Sequence, residues 1–147
     1  MAGDLSNVTV AEFTHRLTTL CLQSRGSALP RRRRDRHIVL RSVVLTLDPD
    51  TRYRETEVNV RLEEWLAGVG SGFVIDHVSL RRELVDMGYL VRDAAGTGYR
   101  VAAGERAAIH FDSGVARIDP VALVAAAQEE REQRRKKHLP SSRQRPG

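Results

Sequence analysis

Arginine is the side chain with which this 147-residue chain can do most chemistry. Of its 24 basic residues only Lys136 and Lys137 are lysines. A guanidinium is a planar fork of donors that can hold a phosphate, or the O6 and N7 of guanine, through two parallel hydrogen bonds. Two placements matter. The stretch SLRRELVDMGYLVRDAAGTGYRV, Ser79 to Val101, sets Arg81 and Arg82 in a helical pattern, then places Arg92, Thr97 and Arg100 around the turn AAGTG. The run Arg31 to Arg34 packs four guanidiniums side by side. Their mutual repulsion would be relieved by a polyanion, and arms of this kind can enter a minor groove.

The candidate DNA-contacting set is therefore Arg31, Arg32, Arg33, Arg34, His77, Ser79, Arg81, Arg82, Arg92, Thr97 and Arg100. Each has a plainer role beside it. Asp86 lies four residues after Arg82, within reach for an ion pair along one helix face. Ser79 can bond within the first turn of its helix, and Arg92, Thr97 and Arg100 can be ordinary surface strand residues. The arginine run can be a solvated linker.

Other chemistries have little footing. His15, His37, His77, His110 and His138 are scattered without paired metal-ligand spacing. Cys21, the single cysteine, falls on the apolar side of its helical pattern and reads as a buried thiol. The chain carries no nucleophile elbow, P-loop lysine or dinucleotide fingerprint. GVGSG, Gly68 to Gly72, follows a helical pattern instead of joining a strand to a helix, so it reads as a flexible inter-helix turn. No enzyme activity, cofactor or metal is expected.

Net charge is +5 and the isoelectric point near 10.1, which suits an anionic partner. That charge is unevenly placed. Residues 38–103 hold 8 Arg against 10 Asp plus Glu, a net −2, whereas Arg31 to Arg36 carry +4 and residues 131–147 carry +6. The basicity lies in the arms, and arginine enrichment in a chain rich in Ala, Val and Gly also follows from a GC-rich genome.

The elements that must position these groups can be read locally. Thr9 and Glu12 match a capping box with Val8 and Phe13 as its staple, and Val10, Phe13, Leu17, Leu20 and Cys21 share one helical face up to Gly26. DRHIVLRSVVLTL, Asp35 to Leu47, reads as a broadly buried helix, with a strand as the alternative. Val58, Leu62, Trp65 and Leu66 form the stripe of a helix over ETEVNVRLEEWLA. Asp76 is an N-cap, Leu80, Leu84 and Met87 the core stripe, and Gly88 the stop, so that Ser79, Arg82 and Asp86 point outward. YLVRD and YRVAA then read as two strands, with Tyr53 and Tyr99 packing under the hairpin. AAIHFD and VARID suggest a second hairpin around Ser113-Gly114. Asp119-Pro120 opens a last helix over 119–138, and 139–147 reads as a disordered basic tail.

The segment RYRETEVNVRLEEWL followed by DHVSLRRELVDMGYLVRDAAGTGYRV resembles the prokaryotic domain-of-unknown-function family 2087. The shared pattern falls on Tyr53, Glu57-Val58-Asn59, Leu80-Arg81-Arg82, Leu84-Val85-Asp86, Gly88, Leu90, Arg92, Gly96 and Tyr99, with a basic run before the first core helix. The resemblance covers roughly residues 30–101. It implies a winged-helix-like domain, of a kind found in some proteins read as transcriptional regulators. Two positions depart from it: Arg54 stands where a small capping residue is common, and AGVGSGFVI is longer than usual, which would loosen the helix-turn-helix geometry.

The expectation is an α+β fold: a winged helix-turn-helix core with an added N-terminal helix and a C-terminal hairpin plus helix. Its parts are 1–29, helix and linker; 30–103, winged-helix-like domain; 104–138, hairpin and helix; and 139–147, tail. The expected function is that of a DNA-binding transcriptional regulator, with residues 76–87 as recognition helix and 89–101 as wing. A protein-interaction module on the same scaffold and an RNA- or ribonucleoprotein-binding protein are the alternatives. Double-stranded DNA is the expected partner, with a homodimer through the N- and C-terminal helices and a protein partner as further options. MAGDLSNVTV has no basic-then-apolar leader and no run spans a membrane, so a cytoplasmic, membrane-free location is expected.

Overall fold

Among the described residues, five helices and two small sheets are laid down in the order β1 (Asn7–Val8), α1 (Val10–Gln23), α2 (Arg33–Val44), β2 (Tyr53–Arg54), α3 (Glu55–Ala67), α4 (His77–Asp86), β3 (Leu90–Arg92), β4 (Gly98–Val101), β5 (His110–Phe111), a 3₁₀ turn (Ser113–Arg117) and α5 (Pro120–Lys137). This is a computed structural model, and it describes residues 7–102 and 109–138. The expected tail, 139–147, lies outside the described residues, as does the start of the expected second hairpin. The arrangement is mixed α+β and compatible with a winged-helix-like topology.

The core is organised around α2, which buries Asp35, His37, Ile38, Val39, Leu40, Ser42, Val43 and Val44. That is a helix buried on nearly all sides, and the helical reading of DRHIVLRSVVLTL holds over the strand alternative. Asp35, His37 and Ser42 are partnered, as low-dielectric surroundings demand, whereas Arg41 Nε is buried with no hydrogen-bond partner among the described residues. Asp35 accepts two bonds from Arg16 of α1, at 3.2 and 2.9 Å. His37 Nδ1 and the Tyr89 hydroxyl are 2.8 Å apart, and Trp65 Nε1 donates to Ser42 Oγ at 3.2 Å.

Phe13, Leu17 and Cys21 of α1 join the same core cluster as Leu62, Leu80 and Tyr89. Thr9 Oγ1 accepts from Glu12 N–H at 3.1 Å, giving one half of the expected capping box. Glu12's carboxylate is drawn away to Arg34, whose guanidinium holds it below the usual carboxylate range. In α3 the other half forms: Glu57 Oε1 accepts from the N–H of Arg54 at 2.8 Å, while an arginine side chain has nothing to accept with.

The glycine loop after α3 is packed, in contrast to the flexible turn expected. A Cβ at Gly70 would overlap the Trp65 ring, and one at Gly72 would meet the Ser24 carbonyl. Gly26 N–H bonds Gly72 O, and Val74 N–H bonds Ser27 O, both at 2.8 Å. The extra length of AGVGSGFVI is thus pinned to the segment after α1 and does not loosen α4.

A second correction concerns the C-terminal hairpin, which does not form. β5 pairs in parallel with β1, Asn7 opposite His110 and Val8 opposite Phe111, and VARID begins within the 3₁₀ turn. Strand alternation would have put Val115 and Arg117 on one face. A 3₁₀ turn aligns i with i+3, so Val115 enters the core with Ile118 packed against it while Arg117 stays exposed. Phe111 is held edge-on to Phe13 and Tyr89, with centroids 6.0 and 6.5 Å away, and the Arg41 guanidinium lies 5.7 Å from its ring centre. α5 starts as expected, with Asp119 Oδ1 accepting from Val121 and Ala122 N–H and Pro at the first helical position.

Two outcomes follow. Phe13→Ala, removing a fully buried ring, should cost about 3–5 kcal/mol in urea unfolding, with Trp65 fluorescence and circular dichroism falling in one transition. An independent α1 would leave the Trp65 transition in place. The second outcome concerns acid. Burial, helped by Arg33 and Arg36, lowers the His37 pKa below its ordinary 6.5. The unfolded chain therefore takes up that proton first, so stability is complete above about pH 6.5 and falls as pH drops through that value towards the lower folded one. Thermal midpoints between pH 7.5 and 5.5 should decline in wild type and be flatter in His37→Gln.

Candidate nucleic-acid interface

α4 is fixed at both ends by bonds its sequence announces. Asp76 Oδ1 accepts from Ser79 N–H at 2.7 Å and its Oδ2 from Ser79 Oγ at 3.2 Å. The first of these bonds, more than any other cause, lowers the Asp76 pKa. At the far end Gly88 takes φ 83°, and Tyr89 N–H closes back on Leu84 O at 2.8 Å. Leu80 and Leu84 are fully buried, and Val78, Ser79, Arg82 and Asp86 are exposed. The outward stripe expected from helical spacing is the one observed.

The two flanks are bolted to neighbours. Arg81 bonds Asn59 Oδ1, lies 5.8 Å from the ring centre of Tyr99 and comes within 4.0 Å of Glu55, with its side chain only 15% exposed. On the other flank Glu83 receives Arg36 of α2 at 2.6 Å. Arg82 alone of the adjacent pair is presented to solvent. It forms no ion pair among the described residues, with Asp86 or any other.

The β3–β4 hairpin is built around Asp93. Its N–H bonds Gly98 O, its carbonyl accepts from Gly96 N–H, both at 2.9 Å, and its carboxylate takes Thr97 N–H at 3.1 Å. Arg52 adds bonds to Asp93 Oδ2 from Nε and Nη2 at 2.8 and 2.5 Å and to Thr97 Oγ1 at 2.9 Å. That guanidinium is the largest cause holding the Asp93 carboxyl below its ordinary range. Gly96 supplies the left-handed turn at φ 73°, and Arg92 folds back over it, donating to Gly96 O at 3.2 and 3.1 Å. β4 is the middle strand of the sheet β2-β4-β3, with Tyr53 opposite Tyr99 and both rings buried as expected.

The candidate residues therefore fall into separate groups. Ser79 and Arg82 share the exposed stripe of α4, and Arg92, Thr97 and Arg100 lie on the hairpin. His77 sits at the start of α4, its Nδ1 3.9 Å from Glu63 Oε2 of α3. Of the arginine run, Arg32 is the N-cap of α2 and Arg33 and Arg34 form its first turn. Arg34 clasps Glu12 and donates to Asn7 O at 2.6 Å, so it ties α1 to α2. Sequence reasoning missed Arg36, Arg52 and Arg54. In Arg52-Tyr53-Arg54 the arginines alternate with a tyrosine that packs inward, a pattern too short to announce a strand by itself.

Among the described residues no three His, Cys, Asp or Glu side chains group as metal ligands, and no helix is long and apolar enough to cross a membrane. Burial raises the Cys21 thiol to about 12, far from a reactive thiolate at neutral pH.

Residues 25–101 match the family described as an uncharacterised protein conserved in bacteria, DUF2087, and the chain belongs to that family. The match spans α2, the β2-β4-β3 sheet, α3 and α4. No curated protein is matched, and no solved structure is matched.

The contrast between the adjacent arginines can be measured. Arg81→Ala should lose about 1–3 kcal/mol of stability, since it breaks a charge-assisted bond and a cation–ring contact. Arg82→Ala should stay within about 0.5 kcal/mol of wild type. Urea titrations of the two variants compare them directly.

Proposed function

We propose that this protein is a non-enzymatic, DNA-binding transcriptional regulator on a winged helix-turn-helix core running from α2 to β4. The observation that carries this reading is the element order helix, strand, helix, helix, hairpin, with the first strand joined to the last in the sheet β2-β4-β3. In that architecture the third helix enters the major groove and the wing touches the backbone. Here α4 turns Ser79 and Arg82 outward, and Arg92 and Arg100 lie on the hairpin that follows. The exposed cations Arg131, Arg135, Lys136 and Lys137 of α5 would add sequence-independent affinity. A homodimer, suited to a palindromic site, would be built on the outward face of α5, because α1 spends Phe13, Leu17 and Cys21 inside the chain.

A protein-interaction module is the second reading, and one observation favours it. Glu63 stands beside His77 at the start of α4, where a DNA reader needs positive potential, and Arg81 is turned inward.

Fluorescence anisotropy of a labelled random duplex across a salt series separates the two. The regulator reading expects binding by the full chain that weakens with added salt along a straight log–log line. No binding at low salt contradicts it and turns the search to a protein partner.

A further inference from the structure

The three-stranded sheet has one face against the core and one face open, and the arginines sort onto the open one. Strand alternation puts Tyr53, Tyr99 and Leu90 inside, all buried, and leaves Arg54, Arg100 and Val91 outside, all exposed. The register fixes the spacing: Arg54 lies opposite Gly98, and Arg100 opposite Val91. Arg54 and Arg100 are thus diagonal neighbours, about 7–8 Å apart at the backbone. Gly98 puts no side chain between them. The space above it is filled by the Arg52 guanidinium, which a Cβ at Gly98 would displace.

One guanidinium, that of Arg52, therefore lies over Gly98 with Arg54 and Arg100 on the same exposed face, and of the nearby acids Asp93 is bonded to Arg52 while Glu57 accepts from the Arg54 N–H. Arg54 and Arg100 form no ion pair among the described residues. The exposed stripe of α4 offers much less: Arg82 is balanced by Asp86 in charge, and the adjoining outer face of α3 carries Glu57, Glu63 and Glu64 against Arg61. A polyanion is repelled by the α3 side and drawn to the sheet side.

From this asymmetry we infer that the outer face of the sheet, through Arg54 and Arg100 flanking Gly98, is the main phosphate-contact surface of the core for duplex DNA. Arg52 stays with Asp93 and shapes the patch. Each guanidinium that neutralises a phosphate releases cation condensed on the duplex, so every such contact steepens the salt dependence of binding. Guanidinium forks suit phosphate oxygens. The main-chain groups of β4 are already shared with β2 and β3, so this face offers side chains and no free strand edge at its centre. The inference rests on the DNA-binding reading and moves its weight from α4 to the sheet.

The test is a salt series with random duplex for full-length wild type, Arg54→Gln/Arg100→Gln and Arg82→Gln, with single-stranded RNA as competitor. Both sheet positions are exposed, so an unchanged thermal midpoint certifies the fold of the double variant. The expected result is weaker binding by the double variant at every salt concentration, with a log–log slope shallower by about 2, and a change of no more than about 1 for Arg82→Gln. Wild-type binding that the double variant reproduces with the same slope overturns the inference and leaves the DNA-binding reading standing. Absence of wild-type binding overturns both. Displacement of duplex by a lower concentration of single-stranded RNA also overturns the assignment to duplex.

Discussion

Burying α2 on nearly every side is the constraint from which the rest of this structure follows. A helix so enclosed has to bring Asp35, His37 and Ser42 inside with its apolar residues, and each of those groups then needs a partner. Arg16 from α1, Tyr89 from the segment before β3 and Trp65 from α3 supply them. Three separate parts of the chain are thereby oriented around one axis. The arginines at the start of α2 finish the task from outside, Arg34 reaching Glu12 on α1 and Arg36 reaching Glu83 on α4. A run that reads as a spare basic arm is in part a set of fasteners.

That use of arginine changes the meaning of the charge count. A net −2 over residues 38–103 suggests a poor nucleic-acid surface, yet a sum says nothing about position. Arg36, Arg52 and Arg81 are engaged with Glu83, Asp93 and Asn59, while Glu57, Glu63 and Glu64 gather on the outside of α3. What stays presented is Arg82, with Asp86 near it, on α4, and Arg54, Arg92 and Arg100 on the sheet and its hairpin. Fields at a surface are set by the charges left uncompensated there, and on this molecule those charges lie towards the sheet.

Local signals made much of the fold legible. Caps and periodicity belong to neighbouring residues, so Thr9, Asp76, Gly88 and Asp119-Pro120 mark their helices correctly, and the outward stripe of α4 follows from residue spacing alone. What stayed hidden joins distant residues. The β1–β5 pairing links Val8 to Phe111, and Arg36 meets Glu83 with β2 and α3 between them in the chain. The nearby pair Arg82 and Asp86, favourable by spacing, does not form. In the candidate site the hairpin arginines were visible because they bracket a glycine turn. Arg54 was not, because a two-residue strand carries too little alternation to announce a sheet, and the register against Gly98 exists only once β4 is in place.

The most direct measurement is an amide-resolved NMR titration of the full chain with an unlabelled duplex at low salt. If the sheet face carries the backbone contact, the largest shift changes fall on Arg54, Gly98 and Arg100 and on the hairpin around Asp93, with the outer face of α3 silent. Changes confined to the α4 stripe from Val78 to Asp86, with the sheet amides unmoved, would contradict the account.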